Sequence, residues 1–365
     1  MVVGAGAFGG WTAFHLRRLG AEVTLVDAWG PGHSRASSGG ETRVIRSVYG
    51  RDRIYVEMVK RSYELWAALD SSVDEPLYVE TGALWLHRGD DAYVRSSLPV
   101  LLDLGFPLEQ LELADAKKLY PQIRFDGIRS VWIERRAGAL SARRACAIVR
   151  DEVEKAGGTY RIENVTPADA KFDADAVVYA CGPWLGKLFP DVIGERVRPT
   201  RQEVYYFGTP RGSDLYRPPK LPIWIDFGER IVYGIPDTHN RGFKLADDTR
   251  GELLDPTTAD RRPTTAGIAL ARKLLAERFP ELAKAPLVHS EVCQYENSPD
   301  GHLILDKHPS MKNVWIAGGG SGHGFKLSPA VGELLASAIV NGKELPAQFR
   351  LSRDLARPQT QFERK

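Results

Sequence analysis

The chain has 365 residues, 49 basic against 47 acidic side chains, and 43% hydrophobic residues. That length gives one large domain or two ordinary ones, each with a sizeable core, and the near balance of charge excludes the single-signed field that nucleic acid or an anionic membrane would select. Three cysteines without a CxxC pair argue against a disulfide framework or zinc site, and no apolar run or N-terminal leader pattern points to a membrane span or export, so a cytoplasmic protein with a small-molecule partner is expected.

In chain order, Met1 to Val3 reads as a short strand and Gly4-Ala5-Gly6-Ala7-Phe8-Gly9-Gly10 as a glycine turn. The stretch with Ala13, Leu16 and Leu19 reads as a helix closed by Gly20, and Glu22 to Asp27 as a strand with an acidic end. Strand, glycine turn, helix, strand and acid form the dinucleotide-binding fingerprint. Gly4 permits the tight turn, Gly6 lets a pyrophosphate approach the backbone at the helix N-terminus, and Gly9 lets the helix pack closely on the strand. Asp27 is placed to accept hydrogen bonds from an adenosine ribose. The first strand has almost no residues ahead of Gly4.

Ala36 to Arg46 comes next, with small residues leading to Arg43 and Arg46 three apart. This pattern predicts a loop past phosphates that starts a helix presenting both guanidiniums to one side. Read alone, the two arginines suit exposed surface charge as well. Asp175 to Gly182 is an apolar run ending in glycine, as a buried parallel strand would be. Glu203 to Phe207 reads as a strand, Arg217 to Lys220 as a loop, and Pro222–Phe227 with Arg230–Ile235 as a hairpin around Gly228-Glu229. Asn313 to Gly320 is a further strand running into a glycine loop. A helix follows with Ser328 as its expected N-cap, Pro329 at the first helical position and Gly342 past its end. The nucleotide fold is thus revisited late in the chain, with a β-rich insert between.

Five segments in register, GAGAFGG, SSGGETRVIRSVYG, Gly242-Phe243-Lys244-Leu245, Glu291-Val292-Cys293-Gln294-Tyr295 and Ser321-Gly322-His323-Gly324-Phe325-Lys326, resemble the monomeric sarcosine oxidase and N-methyltryptophan oxidase family, within the D-amino-acid-oxidase-like FAD-dependent oxidoreductases. The resemblance runs from the first glycines to about residue 345. It implies an α/β fold: a Rossmann-like FAD-binding domain assembled from residues 1–80, 141–200 and 290–345, an inserted β-rich α+β substrate domain from 81–140 and 201–289, and a tail over 346–365. The implied reaction is oxidation of a secondary or primary amine bearing a carboxylate, by hydride transfer to flavin N5. An imine results, and reoxidation by molecular oxygen gives hydrogen peroxide. A monomer is expected.

The same resemblance implies roles by position. Cys293, which alone would read as an inert buried thiol, falls on the cysteine joined to the flavin by a thioether. Lys244 falls on the lysine beside the flavin where oxygen reacts, Tyr233 on an active-site tyrosine, and Arg43 on the arginine beside the ring. Arg46 and Lys326 fall on the two cations that grip the substrate carboxylate, with Tyr295 beside them. Cofactor contacts are expected from Gly4, Gly6, Phe8, Gly9, Asp27, Ser38, Thr42, Arg43, Val165, Gly182, Trp184, Cys293, Gly320, Gly322, Gly324 and Lys326. His323 reads as structural or flavin-lining. Two positions depart from the sarcosine oxidase pattern, where Gly39 and Asp248 stand in place of histidines. Gly39 is expected to open space over the flavin, and Asp248 to add negative charge near Lys244 if it points inward. Rival readings are a dehydrogenase feeding a quinone or carrier protein, a flavin-binding protein without turnover, and an NAD-dependent dehydrogenase.

Overall fold

The computed structural model describes residues 1–169 and 174–353; the remainder of the expected tail, 354–365, lies outside them. Three sheets organise the chain. The first strand, β1 (Val2–Val3), is short because Gly4 leaves the extended region directly after it, and it is buried on both faces. The helix α1 (Ala7–Arg18) returns antiparallel to it and buries Phe8, Trp11 and Leu16. The second strand, β2 (Thr24–Asp27), then pairs parallel with β1. The strand Val177–Tyr179 flanks β1 on its other side, also in parallel, and is followed by Val314–Gly318. Thr159–Ile162 at one edge and the antiparallel Ile304–Lys307 at the other complete a six-stranded sheet of Rossmann type. Its buried apolar strands carry helices on the face where α1 meets Ser328–Asn341 and Arg53–Asp70.

An eight-stranded, largely antiparallel sheet forms the second layer. From one edge it runs Leu287–Asn297, Arg198–Phe207, Phe243–Asp247, Ile231–Ile235, Ile223–Phe227, Ala83–His87, Ser130–Glu134 and Leu108–Leu111. The hairpin expected around Gly228-Glu229 is present, with Ile225 opposite Tyr233. The strand expected at Glu203–Phe207 extends back to Arg198, because its partner Leu287–Asn297 matches it from Arg198 opposite Asn297 up to a register shift at Tyr206/Phe207. Among the described residues no helix is long and apolar enough to cross a membrane.

Two local expectations are corrected. The segment after the small residues 36–40 is not the start of a helix; Thr42–Ile45 is a strand, β3, paired antiparallel with Gly138–Ser141 in a small third sheet. Thr42, Val44 and Ile45 are β-branched and stiff at χ1, which favours the pleated surface over a helix. Ser328 does not cap its helix. A single 3-10 turn, Phe325–Leu327, runs directly into the helix, and the Ser328 hydroxyl donates to Phe325 O at 2.7 Å. Pro329 in the first turn and left-handed Gly342 past the last residue stand as expected.

Candidate active site

The glycine turn between β1 and α1 opens onto a cavity of about 200 Å3. Gly4 has φ +103°, and a Cβ there would lie 2.5 Å from Ala180 O; a Cβ on Gly9 would lie 1.8 Å from Gly4 O. Both positions are closed to any side chain. Gly6 differs, since its Cβ would meet only Ser38 Oγ at 3.4 Å, so its bare backbone faces the cavity. The helix N-terminus therefore presents amides and partial positive charge to whatever lies in that space. Asp27, at the end of β2, lines the same cavity. Its Oδ2 accepts from Ala5 N at 2.7 Å, and its Oδ1 from Trp29 N and Gly30 N at 2.9 and 2.8 Å. Oδ2 retains a lone pair for a ribose hydroxyl.

From that end the cavity runs past Phe8, Val165, Gly182 and Trp184 to Gly320, Gly322 and Gly324, with Ser38 on its wall. Trp29 packs against Trp184 and His33 at centroid distances of 5.0 and 4.9 Å, an aromatic cluster at the Asp27 end. Gly9 and Thr42 are the two expected cofactor contacts that line neither cavity; the Thr42 carbonyl accepts from Lys244 Nζ at 2.7 Å and from Arg43 Nη1 at 2.8 Å. Glu296 on the wall has no precedent in the sequence reading. It is buried, accepts from Gly320 N at 3.1 Å through Oε1, and leaves Oε2 without a partner; burial pushes its carboxyl up to about 7.

A second, smaller cavity of about 80 Å3 adjoins the first, and Arg43, Tyr295, Gly322 and Phe325 line both. Its wall also carries Arg46, Tyr233, Asp248, Cys293, His323 and Lys326, with Val44, Val204, Ile225, Ile231 and Ala246 as its apolar side. Strand alternation explains much of this set. Cys293 and Tyr295 are two apart on one strand, and Ile231 and Tyr233 are two apart on another, so each pair shares a face. Cys293 Sγ lies 3.4 Å from Arg43 Nη2, beside the boundary between the cavities.

Two lysines at this site are buried. Lys244 is 2% exposed, 5.9 Å from the ring centroids of both Tyr206 and Tyr233. Desolvation and the neighbouring Arg43 guanidinium bring its ammonium down to about 7. Lys326 is 4% exposed and donates to His323 O at 3.1 Å. Burial, then the charge of Arg46, depresses it well below the usual lysine range. Among the described residues no carboxylate forms an ion pair with Lys326.

The two departures from the resembled pattern fall differently from expectation. Gly39 opens no space: a Cβ there would lie 2.0 Å from His33 O, inside the tight turn of residues 33–39, and Gly39 lines neither cavity. Asp248 does point inward, but the acids acting on Lys244 are Glu291 and Glu41, whereas Asp248 acts on Arg46 and Lys326. Tyr295 donates to Asp248 Oδ1 at 2.8 Å, Arg250 stands 3.6 Å from Oδ2, and burial raises the carboxyl. Glu134, from the far side of the molecule's second sheet, was also not legible. It is buried, and its Oε1 accepts from the hydroxyl of Ser47 at 2.6 Å and from Ser47 N, anchoring the residue next to Arg46. A buried acid at the end of the strand Ser130–Glu134 carries no signature that separates it from a surface one.

The outer cavity, with a bare glycine backbone at one end, a ribose-accepting acid and an unpartnered Glu296 oxygen along its wall, fits an extended dinucleotide whose reactive ring reaches the junction at Arg43. The inner cavity fits a small anion-bearing molecule.

Comparison with known proteins gives the family. A family model described as FAD dependent oxidoreductase matches residues 1–338. The monomeric sarcosine oxidase of Arthrobacter sp. (strain TE1826) is 30% identical over 366 residues, covering 94% of this chain and 92% of that protein. The peroxisomal sarcosine oxidase of Mus musculus is also 30% identical, covering 97% and 95%. Among solved structures, L-proline dehydrogenase from P. horikoshii superposes with a TM-score of 0.82 at 20% identity over 96% of each chain, a likeness of fold.

Proposed function

We propose, from the premise that this chain belongs to the FAD-dependent oxidoreductase family and is an amino-acid or amine oxidase of the sarcosine oxidase kind, that its substrate is a small secondary or primary amine bearing a carboxylate. N-methyl and cyclic amino acids are the favoured candidates, with molecular oxygen as the electron acceptor. FAD, held along the outer cavity by residues such as Gly4, Gly6 and Asp27, would supply the two-electron oxidation of the amine to an imine, with hydride acceptance as its chemistry and oxygen, reduced to hydrogen peroxide, as the final acceptor.

One observation carries the substrate class. The Lys326 amine is buried in the wall of the inner cavity next to Arg46, with a backbone carbonyl as its hydrogen-bond partner and, among the described residues, no ion pair, and its charged form is disfavoured by burial. Charge in that setting costs several kcal/mol per ion unless an anion completes the site. A substrate carboxylate is such an anion. Arg46 and Lys326 would bind it, Tyr233 and Tyr295 would flank the amine, and the apolar wall of Val204, Ile225 and Ile231 would exclude water from it.

The remaining roles belong to the same reading. Cys293, on the wall of the inner cavity and 3.4 Å from Arg43, would join the ring covalently. Lys244 would supply, in its ammonium form, a positive charge for the negative charge that develops on oxygen as it is reduced. On the cofactor side, residues 1–80, 141–200 and 290–345 would hold FAD, with 81–140 and 201–289 covering the substrate.

The experiment is an anaerobic screen of N-methyl, cyclic and primary amino acids, each beside the corresponding amine without its carboxylate, against the flavin-loaded enzyme, read by bleaching of the flavin band. Rapid bleaching by at least one amino acid is expected. Bleaching only by amines that lack a carboxylate would reject the reading.

A further inference from the structure

Tyr49 lies in the segment SSGGETRVIRSVYG but has no place in the roles given so far. It is 1% exposed. The Arg46 guanidinium sits 4.8 Å from its ring centroid, and the Lys326 ammonium 5.3 Å from the same centroid. One aromatic ring therefore underlies both cations of the inner cavity. The ring is fixed from several sides. Tyr55, fully buried, stacks on it at 5.0 Å and 18°. Its hydroxyl lies 3.1 Å from His323 Nδ1, while His323 Nε2 lies 2.9 Å from Gly301 O. A carbonyl only accepts, so in the neutral imidazole Nε2 carries the proton and Nδ1 accepts from Tyr49. His323 also accepts from Lys326 through its main-chain oxygen. Tyr49, His323 and Lys326 thus close a loop of contacts, and Arg46 is held against the Trp85 ring at 5.2 Å as well.

We propose that Tyr49, oriented by His323, is a positioning residue for the carboxylate clamp: the face of its ring holds Arg46 and Lys326 charged and side by side before the substrate arrives. The inference rests on the clamp reading of Arg46 and Lys326. Two like charges in a desolvated wall repel each other, and each loses hydration. The negative face of an aromatic ring opposes both effects without introducing a carboxylate that would compete with the substrate's own. The acid on this wall, Asp248, is itself held by the Tyr295 hydroxyl and Arg250, and burial favours its neutral form. A ring leaves the net charge of the cations available to an incoming anion. His323 accordingly acts on the substrate site through the orientation of Tyr49 and the Lys326 ammonium, with no proton transfer required of it.

The test titrates the flavin-loaded enzyme with acetate, a carboxylate without an amine, and follows the perturbation of the flavin absorption band. Position 49 is varied through Tyr, Phe, 3,5-difluoro-Phe, pentafluoro-Phe and Leu. Fluorine withdraws charge from the ring face at nearly constant shape, so the series separates electronics from packing. Tyr49→Phe should bind acetate within about threefold of wild type, and the dissociation constant should climb with each fluorination, reaching roughly 10- to 30-fold in Tyr49→Leu. Arg46→Ala is titrated alongside. If Arg46→Ala binds acetate as tightly as wild type, the clamp reading fails and takes this inference with it. If Arg46→Ala loses acetate while the fluorinated series lies flat, the clamp stands and the role of Tyr49 is overturned. The fluorinated proteins keep the ring's volume, so the test survives a Tyr49→Leu variant that does not fold.

Discussion

At Lys244, a single ammonium is held at 2% exposure against the carbonyl of Thr42, with Arg43 beside it. Its charged form prevails below about 7 and is lost as pH rises through that value. If that charge assists oxygen, flavin reoxidation is fast on the acid side and slows as pH rises through neutrality. The Lys244→Met protein should reoxidise about 100-fold or more slowly, with no such pH step, because an electrostatic group acting on a developing anion has been removed. Rapid mixing separates reoxidation from flavin reduction, which should change much less. A pH-independent wild type that the substitution leaves equally fast would make Lys244 structural. Cys293 admits an equally direct check: acid precipitation should leave the yellow colour in the pellet for wild type and release it to the supernatant for Cys293→Ala. Colour released from wild type would mean that the flavin is not covalently held. Neither residue's role could be read from its own neighbours in sequence. A lysine in a strand and a lone cysteine are ordinary features, and only the fold shows Cys293 against Arg43, from which it is separated by 250 positions in sequence.

The glycine turn between β1 and α1 was legible in detail, because its constraints are local. Gly4 needs a positive φ, Gly9 needs contact with the Gly4 carbonyl, and both demands are met within six residues. Gly9→Ala should accordingly fail as a cofactor site. The added methyl would sit 1.8 Å from Gly4 O, so the turn must open, and the ratio of flavin to protein absorbance should fall severalfold in the purified variant. Retention of full flavin content would show that the turn does not depend on that contact. The strand β3 differs from the helix its sequence suggests, for a physical reason. Two arginines three apart suggest one helical face, but the run between and around them is β-branched, and pairing with the distant Gly138–Ser141 settles the conformation. Arg46 reaches the inner cavity from just past the end of that strand, and Arg43 from within it, so the two reach one site without sharing a helical face. Gly39 illustrates the same limit: its lack of a side chain serves the turn at residues 33–39, a packing fact that no local pattern reveals.

For the whole molecule, the parallel sheet supplies the outer cavity and the large antiparallel sheet brings Tyr233, Asp248, Cys293 and Tyr295 to the inner one. The hairpin of that sheet was visible as alternation around a turn. Its assembly was not, since Leu287–Asn297 pairs with Arg198–Phe207 and Ala83–His87 lies parallel to Ile223–Phe227 across long stretches of chain. Such pairings are chosen by tertiary packing and not by local propensity. The junction of the two cavities, lined by Arg43, Tyr295, Gly322 and Phe325, would receive the reacting ring, with the carboxylate of the substrate drawn toward Arg46 and Lys326. The most direct measurement is stopped-flow flavin reduction under anaerobic conditions, comparing sarcosine with dimethylamine, the same secondary amine without its carboxylate, in wild type and Lys326→Met. The wild type should favour sarcosine by at least roughly 100-fold in the ratio of reduction rate to dissociation constant, the scale of breaking a desolvated charge pair, and Lys326→Met should lose most of that preference. Equal reduction of the wild-type flavin by the two amines would contradict the carboxylate clamp.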